Sequence, residues 1–552
     1  MQRLKLRSFW EEAKKTEVFQ RILADLLKNY QFCKNNSPSA LPTELRNIYK
    51  ETGSRIEFEK EYFQKRNFIV NLALLALIFP GEDEYIKGLK VYLRSVCEEY
   101  SWALPAHCTD AKDETKVVDL FASETVCMLA EISVLLEKEL GEETVRFIRG
   151  ECEKRVFEPY SNETFWWETG WNNWTSVCCG HIGIAMMRIA PERFEKEKER
   201  MLRSMALYIN SFPDDGNCLE GLTYWHYGFG SWVWFADEIC RYTDGREDLF
   251  VNAKVEKIAS YAQKMFLKGD VSVSVADSSI FGKGDPTLFN FLHKKYPKSC
   301  RLITKDQSKY CRGNVAWLPV TRLLFYGLRA EYVRKTLVKD YYFENAGQVI
   351  LNRKKYSLFV KAGHNDESHN HNDVGSFILS TDRGQIFCDL GSATYFGGYF
   401  DPDIRYTLLN VSSRGHSVPI VDREYQKSGK EYGGRMTYKE NHIVVDFADA
   451  YGGKAEKLIR SFSCENSALE LIDEFSGCRE LTERFVTLFR PEILENGVKI
   501  ANVILSCKDS VPQIHEVIDE KYFVGNPQTV YLIDYDFVNK TKAAFRMEIT
   551  EK

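Results

Sequence analysis

What the chain lacks narrows it first. No run of about 18 apolar residues, the length that spans a bilayer, occurs anywhere. The longest apolar stretch, Phe68 to Pro80, is interrupted by Asn71 and reads as a buried helix. The opening residues, Met1 to Glu12, lack the unbroken apolar core of a secretory signal. Fifteen cysteines include no Cys-x-x-Cys pair, and Cys178 and Cys179 are adjacent. That pattern suits free, buried thiols in a reducing compartment better than a disulfide framework. These absences predict a cytoplasmic chain with no membrane partner. There is no basic excess either: 74 Lys and Arg against 79 Asp and Glu leave a net charge of −5. A nucleic-acid partner is therefore not expected. An anionic substrate remains compatible, because a cleft can be locally positive on an acidic protein.

What is present is a long chain with two textures. At 552 residues it exceeds one ordinary core, and 44% hydrophobic with 28% charged residues is a globular composition. Up to about residue 330 the apolar spacing is helical, as in Phe68 to Ile78, Val117 to Leu140 and Thr144 to Phe157. Short connectors such as Pro80-Gly81-Glu82-Asp83 join these stretches, so a helical array, bundle or toroid follows. From about residue 340 short strand-like runs recur, among them Val349–Leu351, Tyr356–Val360, Phe377–Ser380, Gln385–Asp389, His442–Phe447, Leu458–Cys464, Leu469–Phe475 and Val530–Phe537. That spacing predicts an antiparallel sandwich. The boundary is expected between residues 335 and 336, with no Pro/Gly-rich linker.

Polar chemistry concentrates in a few places. Glu367-Ser368-His369-Asn370-His371-Asn372-Asp373 runs straight into an apolar strand. So many costly polar groups beside a hydrophobic run need a metal, a substrate or one another as partners. His371, Asp389 and His416, if they converge, supply three N/O ligands for a zinc-like ion. In the helical half, Phe165 to Trp174 holds four tryptophans interleaved with Glu, Gly and Asn, and Glu220 to Gly228 holds Tyr224, Trp225, His226 and Tyr227. Flat apolar faces among amides and carboxylates suit sugar rings. His107, after Trp102 and Pro105, reads as structural or as a sugar contact. Ala276 to Asp285 reads as a long polar turn.

The stretches Ser368 to Phe377, Asp389-Leu390-Gly391-Ser392 and Arg414-Gly415-His416-Ser417 resemble the heparinase II/III-like polysaccharide lyases. Asn172-Asn173-Trp174 and Glu220 to Gly228 are similar to that family's helical-domain motifs. The resemblance implies an incomplete (α/α) toroid over residues 1–335 followed by an antiparallel β-sandwich over 336–552. It implies β-elimination of uronic-acid-containing glycans, glycosaminoglycan or alginate in type. Tyr227 would be the first-choice phenol and His369 its counterpart, with Asn173 or Asn172 donating to the uronate carboxylate. Tyr224 lies close enough to be confused with Tyr227. Glu220, Tyr224, Trp174, Trp225, His226, His107, Arg405 and Arg414 would contact substrate. His371, Asp389 and His416 would hold a structural divalent ion, zinc by its ligand set. A homo-oligomer is left open.

Three rivals stand beside this reading. His369-x-His371-x-Asp373 begins like a binuclear zinc hydrolase motif, but Val374 stands where that motif continues with His. A glycoside hydrolase on a helical toroid would use Asp214, Asp215 or Glu220 as acid and base. A glycan-binding protein would use the same aromatics without turnover.

Overall fold

A computed structural model describes residues 1–170, 172–269, 271–280, 285–300, 316–328, 339–518 and 528–550. Trp171, the second half of the 276–285 turn (281–284) and residues 329–338 of the boundary region lie outside the described residues. Two compact units emerge. One comprises Met1–Ser211, His226–Asn252 and Asp285–Arg334; the other comprises Phe212–Trp225, Ala253–Gly284 and Lys335–Lys552. The second unit thus takes two segments from the helical stretch of sequence.

The first unit is helical because its apolar residues recur with helical period. Ile56–Ile78, Leu120–Leu135 and Asn173–Ile189 are buried around most of their circumference. Glu17–Cys33 buries one stripe of Phe19, Ile22, Leu26, Tyr30 and Cys33 and presents its remaining face to solvent. Close packing is set by small residues: a Cβ added to Gly183 would stand 2.5 Å from Phe235 Cε2, on the neighbouring helix Gly230–Tyr242. Among the described residues no helix is long and apolar enough to cross a membrane. Every cysteine among them is a free thiol.

The second unit is antiparallel. A five-stranded sheet runs in the order Tyr341–Phe343, Gln348–Asn352, Ser357–Lys361, Phe377–Thr381, Gly384–Phe387. Among the described residues, a nine-stranded sheet, a four-stranded sheet and the short pair Phe266–Leu267 with Val271–Ser272 carry the rest. The alternation predicted for Leu458–Cys464 is observed: along Lys457–Cys464 the buried positions are Leu458, Arg460, Phe462 and Cys464. Ser357–Lys361 and Phe377–Thr381 are buried on both faces, which explains their continuous apolar runs. One core joins the sheets, with Leu358 and Phe377 from the first, Leu471 and Phe545 from the second and Phe485 and Tyr535 from the third. The architecture is helices first, then an antiparallel β-sandwich, as expected.

Candidate active site and metal centre

The second unit gathers its polar groups around a residue that the sequence reading assigns no role beyond a place in a polar turn. Asp277 is fully buried and accepts five hydrogen bonds. His369 Nδ1–H (2.9 Å), the Tyr395 hydroxyl (3.1 Å) and Arg405 Nη2 (3.1 Å) donate to Oδ2; His371 Nε2–H (3.1 Å) and the Tyr399 hydroxyl (3.0 Å) donate to Oδ1. Burial alone would raise the carboxyl's pKa, but the hydrogen bonds from both histidines and the Arg405 charge outweigh it and hold it well below the ordinary value.

Local sequence explains how this convergence is built. Asp277 follows Ala276, whose φ of 57° is left-handed and costly for a residue with a side chain. Two glycines make room for the loop. A Cβ on Gly221 would lie 2.2 Å from Ser278 Oγ, and one on Gly391 would lie 2.0 Å from the Ser278 carbonyl oxygen. The Glu220-Gly221 and Asp389-Leu390-Gly391 motifs therefore owe their glycines to the passage of residues 275–278. His369 is itself at φ 59°, within a turn closed by the Asn370 amide donating to the Glu367 carbonyl (3.1 Å).

Above His369 lies Tyr224. Their rings stack with centroids 3.8 Å apart and planes 22° from parallel. The Tyr224 and Tyr395 hydroxyls are 2.6 Å apart. Since the Tyr395 proton is directed to the Asp277 carboxylate, Tyr224 donates to Tyr395. Burial, then the Asp277 charge, hold the Tyr224 phenol well above its ordinary pKa, so it keeps its proton at neutral pH. Glu220 Oε2 stands 3.6 Å from His369 Nε2. With Nδ1–H committed to Asp277, Nε2 is the ring nitrogen left on the Glu220 side.

The metal-ligand set converges as expected. One potential ligand atom each from His371, Asp389 and His416 lies within 4.8 Å of the others, and all three residues are buried. His416 Nε2–H donates to the Asn410 carbonyl (3.0 Å) and His371 Nε2–H to Asp277, so both rings turn Nδ1 inward. Neither Nδ1 has a hydrogen-bond partner. Two imidazole lone pairs and a carboxylate facing one another fit a divalent cation. The charge of Asp389 raises the pKa of His416 against the effect of burial, while burial dominates at His371 and lowers it.

Most of the other expected site residues belong to the first unit. Tyr227 belongs to the helical unit, and its hydroxyl donates to Glu124 Oε1 (2.7 Å) in a cavity of about 420 Å³ walled by Phe63, Phe121, Trp234 and Trp317. The wide π-turn Trp225–Phe229 separates side chains three apart that an ordinary helix would align. Burial lifts the Glu124 carboxyl to about 7. His226 lines the same cavity and its Nε2 accepts from the Asp285 amide (2.9 Å). Trp225, expected against sugar, is instead fully buried core, its indole N–H donating to the Ile258 carbonyl (2.9 Å). Asn172 is the N-cap of Asn173–Ile189, its side chain accepting from the Trp174 amide (3.1 Å), while Asn173 is buried in the first turn. Trp174 packs on Trp166 and edge-on to His107, whose Nδ1–H donates to Asp119 (2.7 Å).

In the second unit, Arg405 is buried, bonding Asp277 and the Asn370 carbonyl and stacking on Tyr399 and Phe400. It braces the cluster rather than standing at a surface. Arg414, in the short turn Ser413–Gly415, accepts from Arg484 through its carbonyl (3.0 Å). Of the three hydrolase carboxylates, Asp215 accepts the amides of Asn217, Asn345 and Ala346, Asp214 is exposed beside Lys254 (3.3 Å), and Glu220 stands beside His369. The sequence reading missed Asp277, Tyr395 and Tyr399. The available signal was a carboxylate among small residues, Ala276-Asp277-Ser278-Ser279, beyond an apolar strand.

Residues 337–477 match the sequence family described as heparinase II/III-like, C-terminal. No curated protein matches the chain. Among solved structures, heparinase III superposes with a TM-score of 0.66 at 16% identity, over 90% of this chain and 78% of that one. Heparan sulfate lyase HepC from Pedobacter heparinus gives 0.60 at 12%, over 96% and 88%. A Streptomyces coelicolor A3 chondroitin AC lyase, solved with chondroitin sulphate, gives 0.57 at 8%, over 99% and 82%. At these identities the likeness establishes the fold, a helical toroid followed by a β-sandwich.

Proposed function

We propose, from a chain whose residues 337–477 match the heparinase II/III-like C-terminal family, that it is a polysaccharide lyase cleaving uronic-acid-containing glycans of the glycosaminoglycan class. The observation that carries the reading is the stack of Tyr224 on His369, with Asp277 fixing the histidine's tautomer.

In β-elimination the C5–H bond of a uronate breaks and its electron pair becomes the C4=C5 double bond. The C4–O4 bond breaks in turn, and the departing O4 takes a proton. His369 Nε2 is suited to accept the C5 proton, because its other nitrogen is held as a donor. Tyr224, kept protonated by burial, is suited to deliver a proton to O4. The uronate carboxylate must be neutralised as charge develops at C5, and the Asn173 amide is the candidate donor. Glu220, 3.6 Å from His369 Nε2, borders the side on which the sugar would bind. His371, Asp389 and His416 would hold a divalent ion of zinc type, which when bound would pin the strands and loops that carry His369.

The test is incubation with hyaluronan, chondroitin, heparan and alginate oligosaccharides, followed by ultraviolet absorbance and product mass analysis. The expected result is an unsaturated uronate from at least one glycosaminoglycan. Saturated products would indicate hydrolysis, and binding without turnover would indicate a glycan-binding protein; either sinks the lyase reading.

A further inference from the structure

We propose that Asp277 is a positioning residue tying metal occupancy of the His371–Asp389–His416 triad to the orientation and tautomer of His369. Both histidines donate to the one carboxylate, His371 to Oδ1 (3.1 Å) and His369 to Oδ2 (2.9 Å). An ionised carboxylate only accepts, so each ring must place its proton on the nitrogen facing Asp277. For His371 that leaves Nδ1, buried and without a hydrogen-bond partner, turned into the triad. For His369 it leaves Nε2, on the side of Glu220 (3.6 Å). The same anion therefore sets a lone pair toward the ion site and a lone pair toward the reacting side.

The linkage is stiff. Tyr395, Tyr399 and Arg405 fill the carboxylate's remaining acceptor positions, and Gly221 and Gly391 press the loop on two sides. With a cation at Nδ1, the His371 ring is polarised and its Nε2–H bond to Asp277 strengthens. With the cation gone that polarisation is lost and the Nε2–H bond to Asp277 weakens. The Asp277 carboxylate is then held on the His371 side less firmly, and so is Oδ2 against His369 Nδ1–H. An amide at position 277 breaks the device in another way, since it offers one acceptor atom where two histidines need one each.

The catalytic consequence rests on the lyase reading, whereas the coupling itself does not. Full-length protein labelled with ¹⁵N-histidine is compared zinc-loaded, zinc-stripped and as Asp277→Asn. Long-range ¹H–¹⁵N spectra read each tautomer, and His369→Gln assigns the signal. Zinc affinity is measured by competition with a chromophoric chelator. Asp277→Asn is expected to weaken zinc roughly 10–100-fold, and His369 is expected to leave its pure Nδ1–H form in both the variant and the stripped wild type. His369 nitrogens unchanged by stripping, zinc affinity in the variant within about twofold of wild type, or no zinc bound by wild type would each overturn the proposal. If Asp277→Asn does not fold, the loaded and stripped wild type decide alone. A protein that shows the coupling but produces no unsaturated uronate would refute the lyase reading only.

Discussion

At the scale of single residues, two tyrosines three positions apart have different fates. Tyr224 stacks on His369, while Tyr227 donates to Glu124 inside the helical unit. Spacing alone could not separate them, because an ordinary helical turn puts residues three apart on one side, whereas here a π-turn, Trp225–Phe229, follows Tyr224 and contains Tyr227. Tyr224→Phe is expected to lower kcat by about 10²–10⁴-fold with KM little changed, the loss of a positioned proton donor. Tyr227→Phe is expected to cost less than about tenfold. Steady-state kinetics on the responsive glycan checks this, and the reverse ranking would return the role to Tyr227. Glu124 gives a prediction about pH. Its folded-state pKa, about 7, stands above its ordinary 4.5 because burial disfavours the charge. The folded state therefore binds this proton more tightly than the unfolded chain. Its stabilising effect is complete below about pH 4.5 and is lost as pH rises toward 7. Glu124→Gln should remove that loss, making the protein more stable than wild type by roughly 1–3 kcal/mol above neutrality and little different in acid. Urea unfolding on both sides of the window measures it; equal differences at both pH values would contradict it.

At the scale of elements, most of the structure was legible. Alternation located Lys457–Cys464, and unbroken apolar runs located Ser357–Lys361 and Phe377–Thr381, because a strand's burial is written in its own residues. Contacts between elements are not written locally. Gly183 carries no obvious signal within Asn173–Ile189, yet it admits Phe235 of the helix Gly230–Tyr242. Gly183→Ala should destabilise by about 1–3 kcal/mol through overpacking, despite alanine's better helix propensity. Denaturant unfolding of the variant reads the balance, and a stability gain would mean that Phe235 relaxes freely. Asp277 was illegible for the same reason. Its partners lie 92 to 128 residues away in sequence, so only the assembled second unit reveals a carboxylate with five donors.

At the scale of the whole molecule, the triad of His371, Asp389 and His416 was foreseen and the hub beside it was not. Metal ligands are restricted to a few residue types, and two of the three sit in compact motifs rich in histidine, glycine and asparagine. A carboxylate that orients ligands from behind has no such restriction. The triad's geometry also bears on stability. Two Nδ1 atoms without hydrogen-bond partners and an ionised Asp389 are buried together within 4.8 Å, an arrangement of three electron-rich groups with nothing positive between them unless a cation or protons enter. A ligand that binds only the folded chain stabilises it by about 2.7 kcal/mol at a hundred times its Kd. Elemental analysis should therefore find one divalent ion per chain, and a chelator should lower the thermal midpoint. In His416→Ala, where one inward nitrogen is gone, the midpoint should be low already and no longer respond to chelator. A wild-type midpoint indifferent to chelation, in protein verified to lose its metal, would mean that protons on His371 and His416 satisfy the cluster and that the fold does not depend on an ion there.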